Sequence, residues 1–256
     1  MKIIFLGTGG AFTDYRDNYH NNVIVETTEG WVLIDCGSTA VQSLKELGIR
    51  PWEIAGVALT HMHGDHVGGL EQLIWESYYT GLLGPSWKSV TVWSPPSVLK
   101  DVAPYLSSCI DYYTSQDGTI KNTGSKDLIE EIPTTWFEFG GVQFRFHKTE
   151  HVVGNNFDKP SFGIYLKQGE KTAYYTSDTI FNPQCGLFNA DVIFHDCTFG
   201  PKYLGTVHTH YEDLCSLPKD IKEKTYLMHY TKVPVDIDVS GAGFKGAVRR
   251  HQAFIL

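Results

Sequence analysis

The sequence predicts an α/β protein whose two strand-rich halves each begin with β patterning and run into helix. Three observations carry this. Short runs rich in Val, Ile, Phe and Tyr, bounded by Gly and Pro, recur along the 256 residues. A hydrophobic fraction of 42% is enough to fill a full core, as one domain or two fused halves. One of these runs, 54–59, leads directly into Thr60-His-Met-His-Gly-Asp-His-Val-Gly-Gly69, a cluster of metal-ligand side chains. There is no internal repeat and no low-complexity segment.

Lys2–Leu6 and Val23–Thr27 alternate or cluster β-formers, and Trp31–Asp35 makes a third strand ending in Asp-Cys-Gly. Ser38–Leu47 carries Val41, Leu44 and Leu47 at helical spacing, with Ser38 or Thr39 as N-cap and Gly48 as the stop. Ile54–Leu59 is a strand, Gly68 to Tyr79 a helix, and Val90–Ser94 a strand closed by Pro95-Pro96. The second half opens near Thr134. Trp136–Phe139 and Val142–His147 read as a hairpin around Gly140-Gly141, and Phe162–Lys167 with Lys171–Thr176 as another around Gln168-Gly169-Glu170. Val192–His195 and Thr225–His229 are buried strands separated by the helical segment Tyr211–Leu217, and Gly243–Leu256 adds a last hairpin. Least regular is Tyr78–Asp127, which holds Tyr78, Tyr79, Trp87, Trp93, Tyr105, Tyr112 and Tyr113 and then the polar run Ser115–Lys126. These rings cap a site, stack on a base, form a dimer surface or pack in the core.

A net charge of −8 is unevenly spread: residues 1–120 carry 6 Lys+Arg against 13 Asp+Glu, residues 121–256 carry 15 against 16. No basic stripe is present to neutralise a long run of phosphates, so a long nucleic acid is a poor partner. The C-terminal cations Lys219, Lys222, Lys224, Lys232, Lys245, Arg249 and Arg250 read as solvated surface. No apolar run reaches membrane-spanning length. Met1–Gly7 is too short for a signal h-region and continues into a Gly-rich turn of the fold. Cys36, Cys109, Cys185, Cys197 and Cys215 are odd in number, the pattern of reduced thiols in a cytosolic protein.

His61, His63, Asp65 and His66 form H-x-H-x-D-H. Imidazole and carboxylate hold Zn²⁺ and similar divalent ions, and four such groups in six residues behind an apolar strand point to a metal site. A histidine-rich surface turn without a ligand is the alternative. The motif resembles the signature of the metallo-β-lactamase-fold superfamily, and the resemblance extends along most of the chain. It implies an αββα four-layer sandwich over residues 1–256, with two sheets face to face, helices outside and ligands on loops at one edge.

The resemblance also implies three further ligands: His151, before Val-Val-Gly; Asp178, in Tyr174-Tyr-Thr-Ser-Asp-Thr179, shared by two ions; and His229, in Tyr226-Leu-Met-His-Tyr230. One ion would take His61, His63, His151 and Asp178, and the second Asp65, His66, Asp178 and His229, with a hydroxide shared between them. Zinc is expected, with Mn²⁺ as a substitute, at two ions per subunit. His147 competes for the His151 position, while His20 and His195 stay outside, His195 as a packed core residue. Asp35 corresponds to an aspartate that orients the ligand histidines from behind.

Phe5-Leu-Gly-Thr-Gly-Gly-Ala-Phe12 followed by Arg16-Asp-Asn-Tyr-His-Asn-Asn22 resembles the ribonuclease Z-like branch. So does Val207-His-Thr-His-Tyr-Glu-Asp213, where that branch places a histidine near the scissile phosphate; His208 fits best and His210 is the runner-up. Asp196 stands where an acidic residue pairs with that histidine, which makes Asp65, Asp196 and His208 the expected catalytic residues. Three features speak against tRNA 3′ processing: Ser-Thr-Ala after Asp-Cys-Gly, no basic flexible arm, and a short acidic chain. The chain is most similar to the branch's compact phosphodiesterases of 3′,5′-cyclic nucleotides, including the phage anti-Pycsar enzymes, which are homodimers. The expectation is therefore a dimeric hydrolase of the bacterial cytosol, or of the host cytosol if phage-encoded. A tRNA 3′-endonuclease and a thioester or lactone hydrolase stay open as alternatives.

Overall fold

The apolar runs zip together in the order their spacing demands. In a computed structural model, which describes residues 1–16, 18–81, 89–115, 117–122, 127–154, 157–202 and 207–256, strands β1 (Lys2–Phe5), β2 (Val23–Thr27) and β3 (Gly30–Ile34) form an antiparallel meander. Ile3 stands opposite Val25, and Val25 opposite Val32. Helix α1 (Ala40–Glu46) carries the chain to β4 (Ile54–Ala58), parallel to β3. Thr39 caps α1 by position alone, since its hydroxyl instead accepts a bond from the His20 N–H. The expected helix from Gly68 to Tyr79 is α3 (Leu70–Gly81), and a single turn α2 (Gly64–Val67) that was not expected precedes it inside the metal motif.

β5 (Val90–Ser94) follows, parallel to β4. Pro95-Pro96 does more than close it: Pro96 opens α4 (Pro96–Leu99), and α5 (Val102–Ile110) comes directly after. A proline is suited to a first helical turn because its missing N–H has no intrahelical partner there. The hairpin β6 (Tyr112–Thr114) with β7 (Ile120–Asn122) precedes β8 (Ile129–Pro133), which pairs parallel to β5 at the sheet edge. The irregular stretch thus holds helices and strands that sequence patterning did not reveal. Its aromatics divide. Tyr78, Trp93 and Tyr113 are buried, whereas Tyr79, Tyr105 and Tyr112 are 46%, 46% and 64% exposed. Trp87 lies outside the described residues.

The second sheet starts with β9 (Trp136–Phe139) and β10 (Val142–Gly154), joined through Gly140-Gly141, both at positive φ. β10 and β11 (Phe157–Gln168) are about twice the expected length, with a register shift between Thr149 and Val152. β12 (Lys171–Tyr175) is antiparallel to β11, and β13 (Val192–Asp196) and β14 (Thr225–Met228) continue in parallel. Between the last two lie α6 (Tyr211–Cys215) and α7 (Lys219–Lys222). The tail is not a hairpin. β15 (Gly246–Ala247) joins β14 in the second sheet, whereas β16 (Ala253–Ile255) crosses to pair with β1 in the first. The chain end therefore straps the two sheets together.

The sheets, in orders β16-β1-β2-β3-β4-β5-β8 and β15-β14-β13-β12-β11-β10-β9, face each other across one apolar core. Phe5 meets Phe194 at 4.9 Å between ring centroids, and Trp93 stacks on Phe137 at 4.4 Å. α1 and α3 pack Val41, Leu44, Leu70 and Leu73 into the same cluster, while Leu214 and Leu217 cover Ile193 and Leu227 of the second sheet in another. These are the four layers of the expected αββα sandwich. Each sheet has a parallel segment, β3-β4-β5-β8 and β12-β13-β14-β15, and ligand sites of parallel sheets lie beyond the C-terminal strand ends.

Candidate metal centre

Those strand ends deliver the chemistry. Asp35 follows β3, Thr60 and His61 follow β4, Ser177 and Asp178 follow β12, Asp196 ends β13 and His229 follows β14. Asp35, Ser177 and His229 take φ of 60°, 53° and 62°, a region that non-glycine residues rarely enter. At three strand ends the chain thus turns sharply inward, and each turn carries or adjoins a charged side chain of the cluster. Beyond β4, the turn of α2 brings Asp65 and His66 back beside His61, whose ring lies 4.0 Å from that of His66. The loop after β3 holds this turn in place: Cys36 N–H donates to His66 O at 2.6 Å and Gly69 N–H to Cys36 O at 2.8 Å. Gly37 presses so closely on the Asp65 carbonyl that a Cβ there would overlap it.

Two groups of side chains converge on one carboxylate. His61, His63, His151 and Asp178 bring ligand atoms within 4.8 Å of one another, and so do Asp65, His66, Asp178 and His229. Asp178 Oδ2 is 3.7 Å from His61 Nε2 and 3.6 Å from His151 Nε2, while Oδ1 is 3.2 Å from both His66 Nε2 and His229 Nε2. Each oxygen thus faces a different group. All seven residues of the expected ligand set are brought together, and all but the half-buried His63 are buried.

The donor chemistry fits two cations. His61 Nε2, His66 Nε2 and Asp178 Oδ1 are buried with no hydrogen bond among the described residues, a costly state for polar atoms that have nothing to bind. The opposite ring nitrogens are engaged, as metal-binding histidines require. His66 Nδ1 donates to Asp35 Oδ2 at 2.7 Å, His151 Nδ1 to Val207 O at 2.6 Å, and His229 Nδ1 lies 3.4 Å from Asp196 Oδ1. Asp35 thus stands behind His66, at the place the resemblance implies for it. Burial pushes its carboxyl up, and the hydrogen bonds and charge of His66 oppose that.

Charge balance points the same way. Burial would lower the pKa of His66 and His229, but Asp178 and the neighbouring carboxylates outweigh it, holding His66 well above the ordinary imidazole value and lifting His229 to about 10. Burial would raise Asp178, yet His229 and His66 hold it well below the usual carboxylate range. Without ions, protons on these imidazoles neutralise the carboxylates; divalent cations would replace them.

Beside the groups stands the second expected pair. His208 Nδ1 is 3.0 Å from Asp196 Oδ2 and 3.9 Å from Asp178 Oδ2, and the side chain is 29% exposed. Burial lowers its pKa, but the Asp196 charge and hydrogen bond prevail and the net shift is upward. Asp178, Asp196, His208 and His229 form a third convergent group. The rival histidines lie elsewhere. His147 borders a different cavity with Trp136, and His195 is buried in the sheet with Nδ1 donating to Asp196 O at 2.8 Å. His210 caps α6, and neither it nor His20 belongs to a metal-holding group among the described residues. Sequence reading assigned no role to Thr60, Ser177 or the Val207 carbonyl. Their signal is proximity across the sheets, which no local pattern encodes.

A family model described as Anti-Pycsar protein Apyc1 matches residues 1–254. The chain belongs to that family. An Apyc1 anti-Pycsar protein of Paenibacillus sp. (strain J14) is 29% identical over 271 aligned positions, covering 100% of this chain and 99% of the relative. One from Paenibacillus harenae is 31% identical over 240 positions, covering 90% of each. Among solved structures, the metallo-β-lactamase fold protein YhfI from Bacillus subtilis superposes with a TM-score of 0.75 at 17% identity, covering 99% of this chain and 98% of that one. Family and fold thus agree with the sequence-based expectation.

Proposed function

We propose that this protein is a dinuclear-metal phosphodiesterase that hydrolyses 3′,5′-cyclic nucleotides and serves, with its family, as an anti-Pycsar enzyme. The observation that carries this is the sharing of Asp178 between two His/Asp groups with the His208–Asp196 pair beside it. Two divalent ions held there would supply an activated water and neutralise charge on the phosphoryl oxygens. The imidazole-rich set suits zinc, with Mn²⁺ as a substitute. His61, His63 and His151 would hold one ion, Asp65, His66 and His229 the other, with Asp178 common to both.

The chain's own residues do the rest. His208, kept protonated by Asp196, would give its Nε2 proton to the departing ribose oxygen as the phosphodiester opens. Asp65 is held on its ring-facing side by His229 Nε2, 3.2 Å from Oδ2, and so orients as well as binds. The five cysteines are free and no helix among the described residues is long and apolar enough to cross a membrane, which supports a cytosolic setting. A panel of bis-p-nitrophenyl phosphate, 3′,5′-cyclic nucleotides, precursor tRNA and a glutathione thioester tests the reading. Turnover of the cyclic nucleotides and the model diester is expected, and turnover of the thioester or tRNA alone would overturn it.

We further infer a homodimer, with the exposed rings Tyr79, Tyr105 and Tyr112 at or near the contact, because three exposed aromatics within one stretch of chain favour a partner. Light scattering should give about twice the 28.8 kDa chain mass, and a monomer mass at low concentration would refute it. Tyr112→Ala is the informative variant. Tyr113 is unsuitable because its hydroxyl donates to Asp127 at 2.8 Å and its ring packs on Tyr78 within the same chain.

A further inference from the structure

One buried hydroxyl sits where both sheets and the first metal group meet. Thr60, Asp35 and Ser177 are all fully buried, and Thr60 Oγ1 touches three partners. It lies 2.9 and 2.8 Å from Asp35 Oδ1 and Oδ2, accepts from Ser177 Oγ at 2.9 Å, and lies 3.0 Å from His61 Nδ1. A hydroxyl has one proton to give and two lone pairs to receive with. The proton goes to Asp35, which acts as an acceptor here: Thr60 N–H donates to its Oδ1 at 2.8 Å and His66 Nδ1 to its Oδ2 at 2.7 Å. One lone pair takes the Ser177 hydroxyl. The other can be satisfied at His61 only if Nδ1 carries the hydrogen.

We propose that Thr60 is a positioning residue that imposes the Nδ1–H tautomer on His61, leaving Nε2 bare toward Asp178 and ready to bind a cation. The metal-affinity part rests on the dinuclear reading above; the tautomer does not. His61 Nε2 is buried with no hydrogen bond among the described residues, 3.7 Å from Asp178 Oδ2. A single carboxylate thereby governs a histidine in each group: Asp35 orients His66 directly and His61 through the Thr60 hydroxyl. The Ser177 bond adds the second sheet, since Ser177 immediately precedes Asp178. Thr60→Val keeps the shape, removes the hydroxyl, and frees His61 to place its hydrogen on Nε2, the atom the ion needs.

Two measurements test this. Nitrogen-15 NMR of the metal-free protein at pH 8, where an ordinary imidazole is neutral, should show His61 with hydrogen on Nδ1 in the wild type and in Thr60→Ser, and on Nε2 in Thr60→Val. Zinc titration against a chromogenic chelator should show one of two ions weakened by about 10–100-fold in Thr60→Val, the range for an outer hydrogen-bond partner, with Thr60→Ser close to wild type. An Nε2–H tautomer in the wild type overturns the proposal, as does unchanged affinity for both ions in Thr60→Val. Equal weakening in Thr60→Ser also overturns it, because packing of the methyl group would then be the cause. If Thr60→Val fails to fold, the wild-type tautomer and the Thr60→Ser titration still decide. A wild type with the Nδ1–H tautomer but no bound metal would defeat the functional reading instead.

Discussion

Asp178→Ala is expected to lower turnover of 3′,5′-cyclic nucleotides and of bis-p-nitrophenyl phosphate by about a thousandfold or more, the upper range for losing one charge-stabilising group. Elemental analysis of the wild type should give close to two ions per chain, and the variant should hold less than one. The reason is geometric. Asp178 is the sole residue common to both ligand groups, each carboxylate oxygen facing one of them. Its removal takes a ligand from each site and leaves His66 and His229 without the charge that most strongly opposes their burial. His61→Ala and Asp65→Ala should each disable one site, with the other still loading in part. Folding should survive in all three. The backbone carbonyl of Asp178, which accepts from Thr149 and Ser161 at 3.2 Å, stays in place whatever the side chain. An Asp178→Ala protein that retains two ions and full turnover would remove the basis of the dinuclear reading.

The metal motif was legible because its chemistry is contiguous: H-x-H-x-D-H needs no knowledge of tertiary structure. His229 and Asp178 were legible through the family resemblance, supported by the apolar runs that end beside them. His151 was harder, since it lies within β10 itself, inside a register shift that strand patterning does not show. What stayed hidden depended on distant neighbours. Thr60 stood at the head of the motif, yet its meaning comes from Ser177, 117 positions away on the other sheet. The tail looked like a hairpin because two short extended runs adjoin, but β15 and β16 find better partners in different sheets. The helices after Pro95 escaped notice because a proline pair ends a strand as readily as it begins a helix.

His208→Ala should leave two ions bound and yet slow cyclic-nucleotide hydrolysis by about 10²–10⁴-fold, the usual share of a positioned proton donor. His208 engages Asp196 through Nδ1, and its side chain is 29% exposed. The Val207 carbonyl that anchors His151 and the Thr209 hydroxyl bonded to Thr179 O at 2.8 Å hold its segment from both sides. The loss should depend on the leaving group. A ribose oxygen departs as a strongly basic alkoxide and needs the proton, whereas p-nitrophenolate is a stable anion, so bis-p-nitrophenyl phosphate should suffer far less. The pH profile carries the sign. Burial alone would lower the His208 pKa, but Asp196 raises it on balance. Protonated enzyme thus persists above the ordinary imidazole range, and activity falls as pH rises through the raised value. Asp196→Asn removes the charge that raises it, so the alkaline limb should move to lower pH, and activity near neutrality should drop with it. Equal losses for both substrates in His208→Ala, or an alkaline limb unmoved in Asp196→Asn, would show that His208 binds or orients the phosphate without donating the proton.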